Sequence, residues 1–309
     1  MNNRKDSEKK ISCIINPLAA RDRWQRRQKL RNYLQKTLPG KIIEIKGKKE
    51  DTIEIVKKQS LDDEIIVAIG GDGTVADVIQ GIIESGNKND ILLGLIPTGS
   101  GNAFCKSFHI PKKAKRAIKI LSSSYTKIVD LIDIEGKLAG FASIGATARA
   151  TQEKLKRKIP GLLGHILASR VMLTLPKKEL EIELFDGIDK HGEHFDRKIL
   201  KLKLFDCIIG KTNYFGYNWK IAPKARIDDG YLDITFFEMS GWKYLMFFLL
   251  IYLGLYQRIQ KHFKAKKMII KGKALPIQYN GEFLGVKDRI EVKVIPRTLR
   301  VISPKNNKL

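Results

Sequence analysis

The sequence predicts an α/β domain built on a parallel sheet, followed by a second domain that is mainly antiparallel β. Two observations carry this prediction. Up to about residue 124, short apolar runs alternate with helical patterns, which is typical of a parallel sheet covered by helices. Beyond that point, short β-branched or alternating runs follow one another without regular helices between them, which favours antiparallel pairing. At 309 residues, the chain is long enough for both domains to bury a core.

The predicted elements of the first domain alternate in order. Strands are expected over 11–15, 41–45, 65–69 and 91–96, and helices over 24–38, 52–59 and 75–83. We place the domain boundary between residues 124 and 125, so that the domains are 1–124 and 125–309. The last strand could pack back on the first domain.

The second domain is expected to be a β-sandwich. Its predicted strands cover 127–134, 180–185, 198–209, 231–237, 289–294 and 299–302. Two helical insertions are expected, near 146–175 and 240–260.

Two glycine-rich turns follow buried strands of the first domain, at 70–74 (GGDGT) and 97–102 (PTGSGN). Glycine lets the backbone approach an anion closely, and the N–H groups of the following helix point at the charge. Parallel strands place such loops at one edge of the sheet, together with Asn16 and Pro17 after the first strand. The two turns could therefore enclose one triphosphate.

Simpler interpretations of the same residues stay open. Thr74 and Asp77 could form a capping box, and Ser100 and Asn102 could be an N-cap serine and a turn asparagine. Asp72 fits the capping interpretation poorly. A carboxylate among phosphate-binding glycines needs a divalent cation or ordered water to offset its charge.

The charge of the chain is extreme, with 58 Lys and Arg against 33 Asp and Glu and a net charge of +25. Basic runs at 21–31 and 258–273 predict attraction to an anionic membrane leaflet or to nucleic acid, unless they are solvated faces. No nucleic-acid partner is expected, because no recognisable nucleic-acid module accompanies the charge. The uncharged segment 244–256 is shorter than the roughly 20 residues of a membrane-spanning helix. It is either a core helix or an interfacial element.

The three cysteines are far apart and form no CxxC pair, which indicates a reducing compartment. The N-terminal MNNRKDSEKK has no apolar region, so no signal peptide is expected. Together these observations predict a cytoplasmic protein. The five histidines show no metal-ligand spacing.

Four motifs, in the order 70–74 (GGDGT), 97–104 (PTGSGNAF), 223–233 (PKARIDDGYLD) and 280–282 (NGE), resemble the diacylglycerol kinase catalytic-domain family. That family includes bacterial lipid kinases and the sphingosine and ceramide kinases. The resemblance implies a phosphofructokinase- or NAD-kinase-like first domain, a β-sandwich second domain and a nucleotide cleft between them. It also implies a peripherally membrane-associated enzyme that uses ATP and Mg²⁺ to phosphorylate a hydroxyl of a membrane lipid, either diacylglycerol or a sphingoid base.

The resemblance also assigns site residues. Glu282 matches the general base, and Asp72 is a second candidate catalytic residue. Asp229 matches a carboxylate of a structural Mg²⁺ site, whose other protein ligands match the main-chain carbonyls of Arg226 and Tyr231. The candidate nucleotide-binding residues lie in three loops and are Asn16, Pro17, Leu18, Ala19, Ala20, Gly70, Gly71, Asp72, Gly73, Thr74, Val75, Ala76, Asp77, Gly99, Ser100 and Asn102.

The chain departs from the family pattern at several positions. Asn280 and Ala103 stand where many members have Asp, Ala20 replaces a Gly, and a nucleotide-contacting Thr is absent around 46–47. These departures keep open a catalytically weakened ATP- and lipid-binding protein. An NAD-kinase-like soluble kinase is the other alternative, since GGDGT is shared with NAD kinases and phosphofructokinases. It is disfavoured because no downstream Asn-Glu pair begins a helix. An exposed sheet edge could mediate a homodimer.

Overall fold

The computed structural model describes residues 10–17, 28–38, 40–46, 48–99, 101–123, 125–157, 167–215, 219–256 and 260–305. The chain divides into two compact units. The first comprises Met1–Val129 and Thr298–Leu309, and the second comprises Asp130–Arg297.

The first unit is a parallel sheet with intervening helices. In chain order its elements are β1 (Ile11–Ile15), α1 (Gln28–Thr37), β2 (Lys41–Glu44), α2 (Lys49–Gln59), β3 (Ile65–Gly70), α3 (Asp72–Glu84), β4 (Leu92–Pro97), α4 (Ala103–Ser107) and α5 (Ala114–Leu121). The strand order is β4-β3-β1-β2, with every neighbouring pair parallel. Beyond β4, Arg300 and Val301 of the last strand pair with Leu92 and Leu93 in the parallel direction.

Burial of the central strand explains its sequence. All six residues of β3 are buried, as expected for a parallel strand covered on both faces, and its sequence IIVAIG is continuously apolar for that reason. The following helix α3 begins at Asp72, three residues earlier than predicted, and its N-cap is Gly71. Thr74 therefore lies inside the first turn, and the capping-box interpretation is wrong.

The second unit is built mainly from antiparallel strands. Its elements are β5 (Thr126–Ile134, which begins in the first unit), β6 (Lys137–Ala139), β7 (Phe141–Gly145), α6 (Ala146–Arg157), a 3₁₀ turn (Arg170–Leu173), β8 (Lys178–Ile188), β9 (His194–Leu204), β10 (Asp206–Gly210), β11 (Leu232–Phe237), α7 (Gly241–Met246), α8 (Phe248–Tyr252), β12 (Lys261–Tyr279) and β13 (Glu282–Ile302, which ends in the first unit).

The long strand β12 organises this unit. Its first half pairs with β11 and β8, and its second half pairs with β7. Along most of its length it also pairs with β13, with register shifts near Ala274 and after Ile277. All of these pairings are antiparallel. The strand is 19 residues long. Its residue Ile277 lies in a core of buried apolar side chains that also contains Ile182 of β8 and Ile234 of β11.

Several predicted elements of this unit have different bounds. The run 198–209 is divided at Phe205 into β9 and β10, and the runs 289–294 and 299–302 are parts of one strand. The apolar segment 244–256 contains two short helices that meet at Phe247.

Strand β12 itself was missed, because its six lysines suggested a solvated basic run. In the structure five of these six lysines lie within 4.0 Å of a carboxylate. Lys267 lies 2.8 Å from Glu291, and Lys271 lies 3.0 Å from both Glu181 and Glu183. The charge of this run is therefore largely compensated within the unit.

Candidate active site

The two glycine-rich turns of the first unit touch each other. The N–H groups of Thr98 and Gly99 donate to the carbonyl of Gly70 at 3.0 and 3.2 Å. A Cβ atom added to Gly99 would lie only 2.4 Å from Cα of Gly71, and one added to Gly70 would lie 2.4 Å from the Thr74 side chain. The glycines at these positions thus permit a backbone approach that no side chain would allow.

The loop after β1 comes to the same edge of the sheet. Asn16 donates from its backbone N–H to the carbonyl of Ile69 at 3.2 Å and from Nδ2 to Oγ1 of Thr74 at 3.2 Å. The first strand is thereby connected to the first turn of α3. Pro17 follows Asn16, whereas the predicted contacts at Leu18, Ala19, Ala20 and Ser100 lie outside the described residues.

Asn102 holds the second glycine turn closed. It adopts a left-handed conformation with φ 56°, which asparagine tolerates better than most residues. Its Nδ2 donates to the carbonyl of Gly99 at 2.8 Å, and its Oδ1 accepts from the N–H of Gly99 at 3.1 Å. These contacts are those of a turn asparagine, and a direct contact with nucleotide stays a prediction.

The side chain of Asp72, the first residue of α3, reaches the N-terminus of helix α4. Its Oδ1 accepts a hydrogen bond from the backbone N–H of Phe104 at 3.2 Å. Burial raises the pKa of Asp72 to about 6, although the N–H groups of residues 102–104 act in the opposite direction. Backbone N–H groups therefore offset part of the negative charge of Asp72, for which the sequence predicted a cation or ordered water.

The remaining candidates on α3 face the interior of the first unit. Val75, Ala76 and Asp77 are all buried, and Oδ1 of Asp77 lies 3.7 Å from the ammonium of Lys49. Their burial anchors α3, the helix that follows the first glycine turn, in the first unit.

The candidate base of the second unit begins strand β13. Asn280 and Gly281 form the two-residue turn between β12 and β13, with φ values of 48° and 85°, as in a type I′ hairpin turn. Glu282 follows immediately, and its Oε2 accepts a hydrogen bond from the hydroxyl of Tyr279 at 3.0 Å. The hairpin thus determines where this carboxylate lies.

Asn280, at a position where the resemblance implies Asp in many members, has a structural role. It is buried, its Oδ1 accepts from the N–H of Gly140 at 3.0 Å, and its Nδ2 donates to the carbonyl of Leu138 at 3.1 Å. Only an amide can donate and accept at the same time here, because an ionised carboxylate has no donor.

We therefore expect Asn280→Asp to destabilise the protein at pH 7 by about 1–3 kcal/mol, since the new carboxylate would face a carbonyl without a proton between them. The turn itself should survive, because Asp also tolerates positive φ. Urea unfolding of both proteins measures the difference. The difference in the free energy of unfolding should become smaller near pH 4, where the carboxyl of the variant is protonated and can donate to the carbonyl of Leu138. Equal stability at pH 7 would contradict the assignment.

The residues predicted to bind Mg²⁺ contact lysines. Oδ1 of Asp229 lies 2.7 Å from Nζ of Lys211, and its Oδ2 lies 2.5 Å from Nζ of Lys264. The carbonyl of Tyr231 accepts from Nζ of Lys211 at 2.8 Å. Burial raises the pKa of Asp229, but the hydrogen bonds from the two lysines outweigh burial and hold it below its ordinary value.

Asp130, which sequence reasoning missed, completes this cluster. It is buried, and its Oδ2 lies 3.0 Å from Nζ of Lys211 and accepts from the N–H of Gly230 at 2.7 Å. A signal was available, because Asp130 is a carboxylate within the apolar strand β5. Arg226, whose carbonyl was the third predicted ligand, has a largely exposed side chain paired with Asp228 at 3.7 Å.

The predicted ligand set does not fit a divalent metal as the structure arranges it. Both carboxylate oxygens of Asp229 and the carbonyl of Tyr231 are hydrogen-bonded to ammonium groups. Among the described residues no cluster of three or more His, Cys, Asp or Glu side chains could hold a metal ion.

A buried histidine lies beside this cluster and was also missed. Nε2 of His262 is 2.7 Å from Oδ1 of Asp233, and Nζ of Lys264 is 3.8 Å from the other oxygen of Asp233. Register explains the grouping, since Lys264 lies directly opposite Asp233 across the β11–β12 pair. His262 and Lys264 are two residues apart and share a face of the strand.

Two family models match parts of this chain. Residues 10–134 match the model of the diacylglycerol kinase catalytic domain, and residues 187–303 match that of the YegS C-terminal NAD kinase β-sandwich-like domain. A diacylglycerol kinase of Staphylococcus saprophyticus is 24% identical over 92% of this chain and 95% of its own length. One from Staphylococcus aureus strain JH9 is 28% identical over 62% of this chain, and the match spans 58% of that relative.

Solved structures give the same fold. A diacylglycerol kinase from Bacillus anthracis str. Sterne superposes with a TM-score of 0.72 at 18% identity, covering 97% of this chain and 99% of its own. A second solved chain from that organism reaches a TM-score of 0.77 at 20% identity, covering 99% of both chains. At these identities the likeness concerns the fold.

A glycine-turn α/β unit followed by an antiparallel β unit, with both units matched by their family models, defines a lipid kinase. Residues 10–134 belong to the diacylglycerol kinase catalytic-domain family and residues 187–303 to the YegS C-terminal NAD kinase β-sandwich-like family, and both the predicted family and the predicted fold class are confirmed.

Proposed function

We propose that this chain uses ATP to phosphorylate the free hydroxyl of a membrane lipid, with diacylglycerol as the preferred acceptor. The observation that carries the proposal is the contact between the two glycine turns, where a Cβ on Gly99 would lie 2.4 Å from Gly71. Two such turns at the carboxyl edge of a parallel sheet suit a chain of phosphates. The acceptor follows from the names of the Staphylococcus relatives.

Each unit has its own part in the proposed reaction. The first unit would hold the phosphates through backbone N–H groups at 70–74 and 97–102. Glu282 would take the proton of the lipid hydroxyl as its oxygen bonds to the γ-phosphorus and the bond to ADP breaks. Tyr279 would orient Glu282 through its hydroxyl, 3.0 Å from Oε2. Magnesium bound to ATP would neutralise phosphate charge during transfer.

A transfer assay tests the proposal. Purified protein, γ-labelled ATP and mixed micelles of diacylglycerol should give labelled phosphatidic acid, with less label on a sphingoid base. Preferred labelling of the sphingoid base would mean that the protein is a lipid kinase with a sphingoid acceptor instead of diacylglycerol. Formation of NADP from NAD would instead support the soluble-kinase alternative. Binding of ATP and liposomes without turnover on a panel of extracted lipids would support the weakened binding protein.

The segment 241–256 offers a surface for reaching a membrane acceptor. Tyr244 and Ile251 are buried and anchor it in a core of the second unit. Seven other large apolar side chains of the segment are between 40% and 66% exposed: Trp242, Met246, Phe248, Leu249, Leu250, Leu253 and Leu255. The core interpretation thus describes the buried residues of this segment, and the interfacial interpretation of its exposed residues stays a prediction.

We propose that these exposed side chains, here called the apolar patch, dock on an anionic lipid surface. An apolar patch of this kind marks an interaction site, and the substrate of a lipid kinase lies in a bilayer. Lys243 is exposed within the segment, and Lys220 is exposed and bonded through its N–H to the carbonyl of Tyr252. Cations beside an apolar patch favour anionic headgroups. Within the described ranges, every helix is too short or too polar to cross a bilayer.

We expect the double substitution of Trp242 and Leu249 to Ala to lower co-sedimentation with phosphatidylglycerol vesicles by about tenfold, since it removes most of two exposed apolar side chains. Turnover of a water-soluble short-chain diacylglycerol should stay within about twofold. Leu61→Ala is the matched control, because Leu61 is 64% exposed and lies outside the patch. Unchanged vesicle binding by the double variant would contradict docking, as would equal loss in the control.

A further inference from the structure

The ammonium of Lys211 is enclosed by oxygen atoms in the second unit. The side chain is only 1% exposed. Its Nζ lies 2.7 Å from Oδ1 of Asp229, 2.8 Å from the carbonyl of Tyr231 and 3.0 Å from Oδ2 of Asp130. A buried ammonium is costly unless it is paired and hydrogen-bonded. Here each of the three ammonium hydrogen atoms can donate to one of these oxygens.

The backbone holds Lys211 in this position. It follows β10 directly, and its N–H donates to the carbonyl of Gly140 at 2.8 Å, with the N–H of Thr212 donating to the same carbonyl at 2.9 Å. The carboxylate of Asp130 is fixed as well, because its second oxygen accepts from the N–H of Arg297 at 2.9 Å. The cluster is therefore built from several separate parts of the chain.

The enclosing oxygens are the type that hard divalent cations prefer, namely two carboxylates and a main-chain carbonyl. Two of the three groups, Asp229 and the carbonyl of Tyr231, are the ones for which the family resemblance implies a structural Mg²⁺. A lysine ammonium and a magnesium ion cannot occupy the same volume, and the ammonium already satisfies these oxygens.

We propose that Lys211 is the resident cation of this site, and that the second unit folds without a divalent metal there. The positive charge that joins Asp130, Asp229 and Tyr231 is then covalently part of the chain and cannot be removed by a chelator. This inference concerns the second unit alone and does not depend on ATP or on the lipid acceptor.

Wild-type protein tests the metal independence directly. After purification and dialysis against chelating resin, inductively coupled plasma mass spectrometry should find far less than one equivalent of magnesium, calcium or zinc per chain. Without nucleotide, the thermal midpoint should be the same in excess EDTA and in millimolar magnesium chloride. One tightly held equivalent of metal, or a midpoint that falls in EDTA, would overturn the proposal.

Two variants test the role of the ammonium. Lys211→Ala empties the volume and Lys211→Met fills it without charge. Both remove the ammonium that pairs with the buried carboxylate of Asp130 and the partly buried carboxylate of Asp229, so the thermal midpoint should fall by about 10 °C or more. Magnesium or calcium chloride should restore part of the loss in Lys211→Ala, where space for an ion exists, and none in Lys211→Met.

Lys264→Met is the matched control. Lys264 binds the same carboxylate, at 2.5 Å, but its side chain is 23% exposed, so water can replace it and the midpoint should fall by much less. Midpoints of the two Lys211 variants equal to wild type would contradict the proposal. So would a Lys211→Ala protein that gains nothing from either metal. If neither variant folds, the wild-type measurements still decide the question.

Discussion

Glu282→Gln is expected to lower kcat for transfer of phosphate to the lipid by about 100- to 10,000-fold, the range over which general bases contribute. Glutamine preserves the size of the side chain and can still accept from the hydroxyl of Tyr279, 3.0 Å away, but it cannot take a proton. The unfolding midpoint and the affinity for ATP should stay close to wild type. Initial rates in mixed micelles with labelled ATP measure the change.

Tyr279→Phe is the companion variant. It removes the hydroxyl that positions Glu282 while leaving the carboxylate in place. We expect a decrease in kcat of about tenfold or less, since the carboxylate stays in place but loses the hydrogen bond that orients it. Glu282→Gln with at least half of the wild-type kcat would remove Glu282 from the mechanism.

Gly99→Ala is expected to disrupt the proposed phosphate-binding edge of the first unit. The added Cβ would lie 2.4 Å from Cα of Gly71 and 3.1 Å from its nitrogen, so the two turns must separate. Displacing a binding loop by about 1 Å can cost about 100-fold in rate. We therefore expect kcat/KM for ATP to fall by about 100-fold, as measured in the same assay with ATP varied.

Gly71→Ala is a matched control in the same pair of turns. Its Cβ would meet only Cα of Gly99, at 3.3 Å, and its φ of −97° suits any residue. The loss should therefore be clearly smaller than for Gly99→Ala. Equal activity of Gly99→Ala and wild type would show that contact between the turns is not needed for nucleotide use.

Local sequence was enough to predict that the two glycine turns meet at one edge of the sheet. The apolar runs before 70–74 and 97–102 predicted parallel strands, and parallel strands bring their following loops to one edge. Long-range side-chain partners could not be predicted in this way, since Asp72 meets the N–H of Phe104, 32 residues away. The local contact by which Asn102 closes its own turn agrees with the turn-asparagine interpretation of the sequence.

Long-range pairing also determined the structure of the basic run at 258–273, most of which lies in strand β12. A lysine-rich stretch with alternating apolar residues is consistent with a solvated face or with a strand. Strand β12 pairs with β8, β11 and β13 and buries Met268 and Ile270 in the core, while acidic partners on adjacent strands, such as Glu181 and Glu291, lie beside its lysines. Which partners a strand acquires depends on the whole sheet.

By itself the sequence determined the family, the two-part fold and the glycine turns, because these depend on local periodicity and on residue types that a turn requires. Only the tertiary structure decided what fills the predicted metal position. Lys211, Asp130 and Asp229 are up to about 100 residues apart, and their grouping follows from where β5, β10 and the loop before β11 meet. Asn280 shows the same physical principle, since its amide is required by carbonyl and N–H groups some 140 residues earlier in the chain.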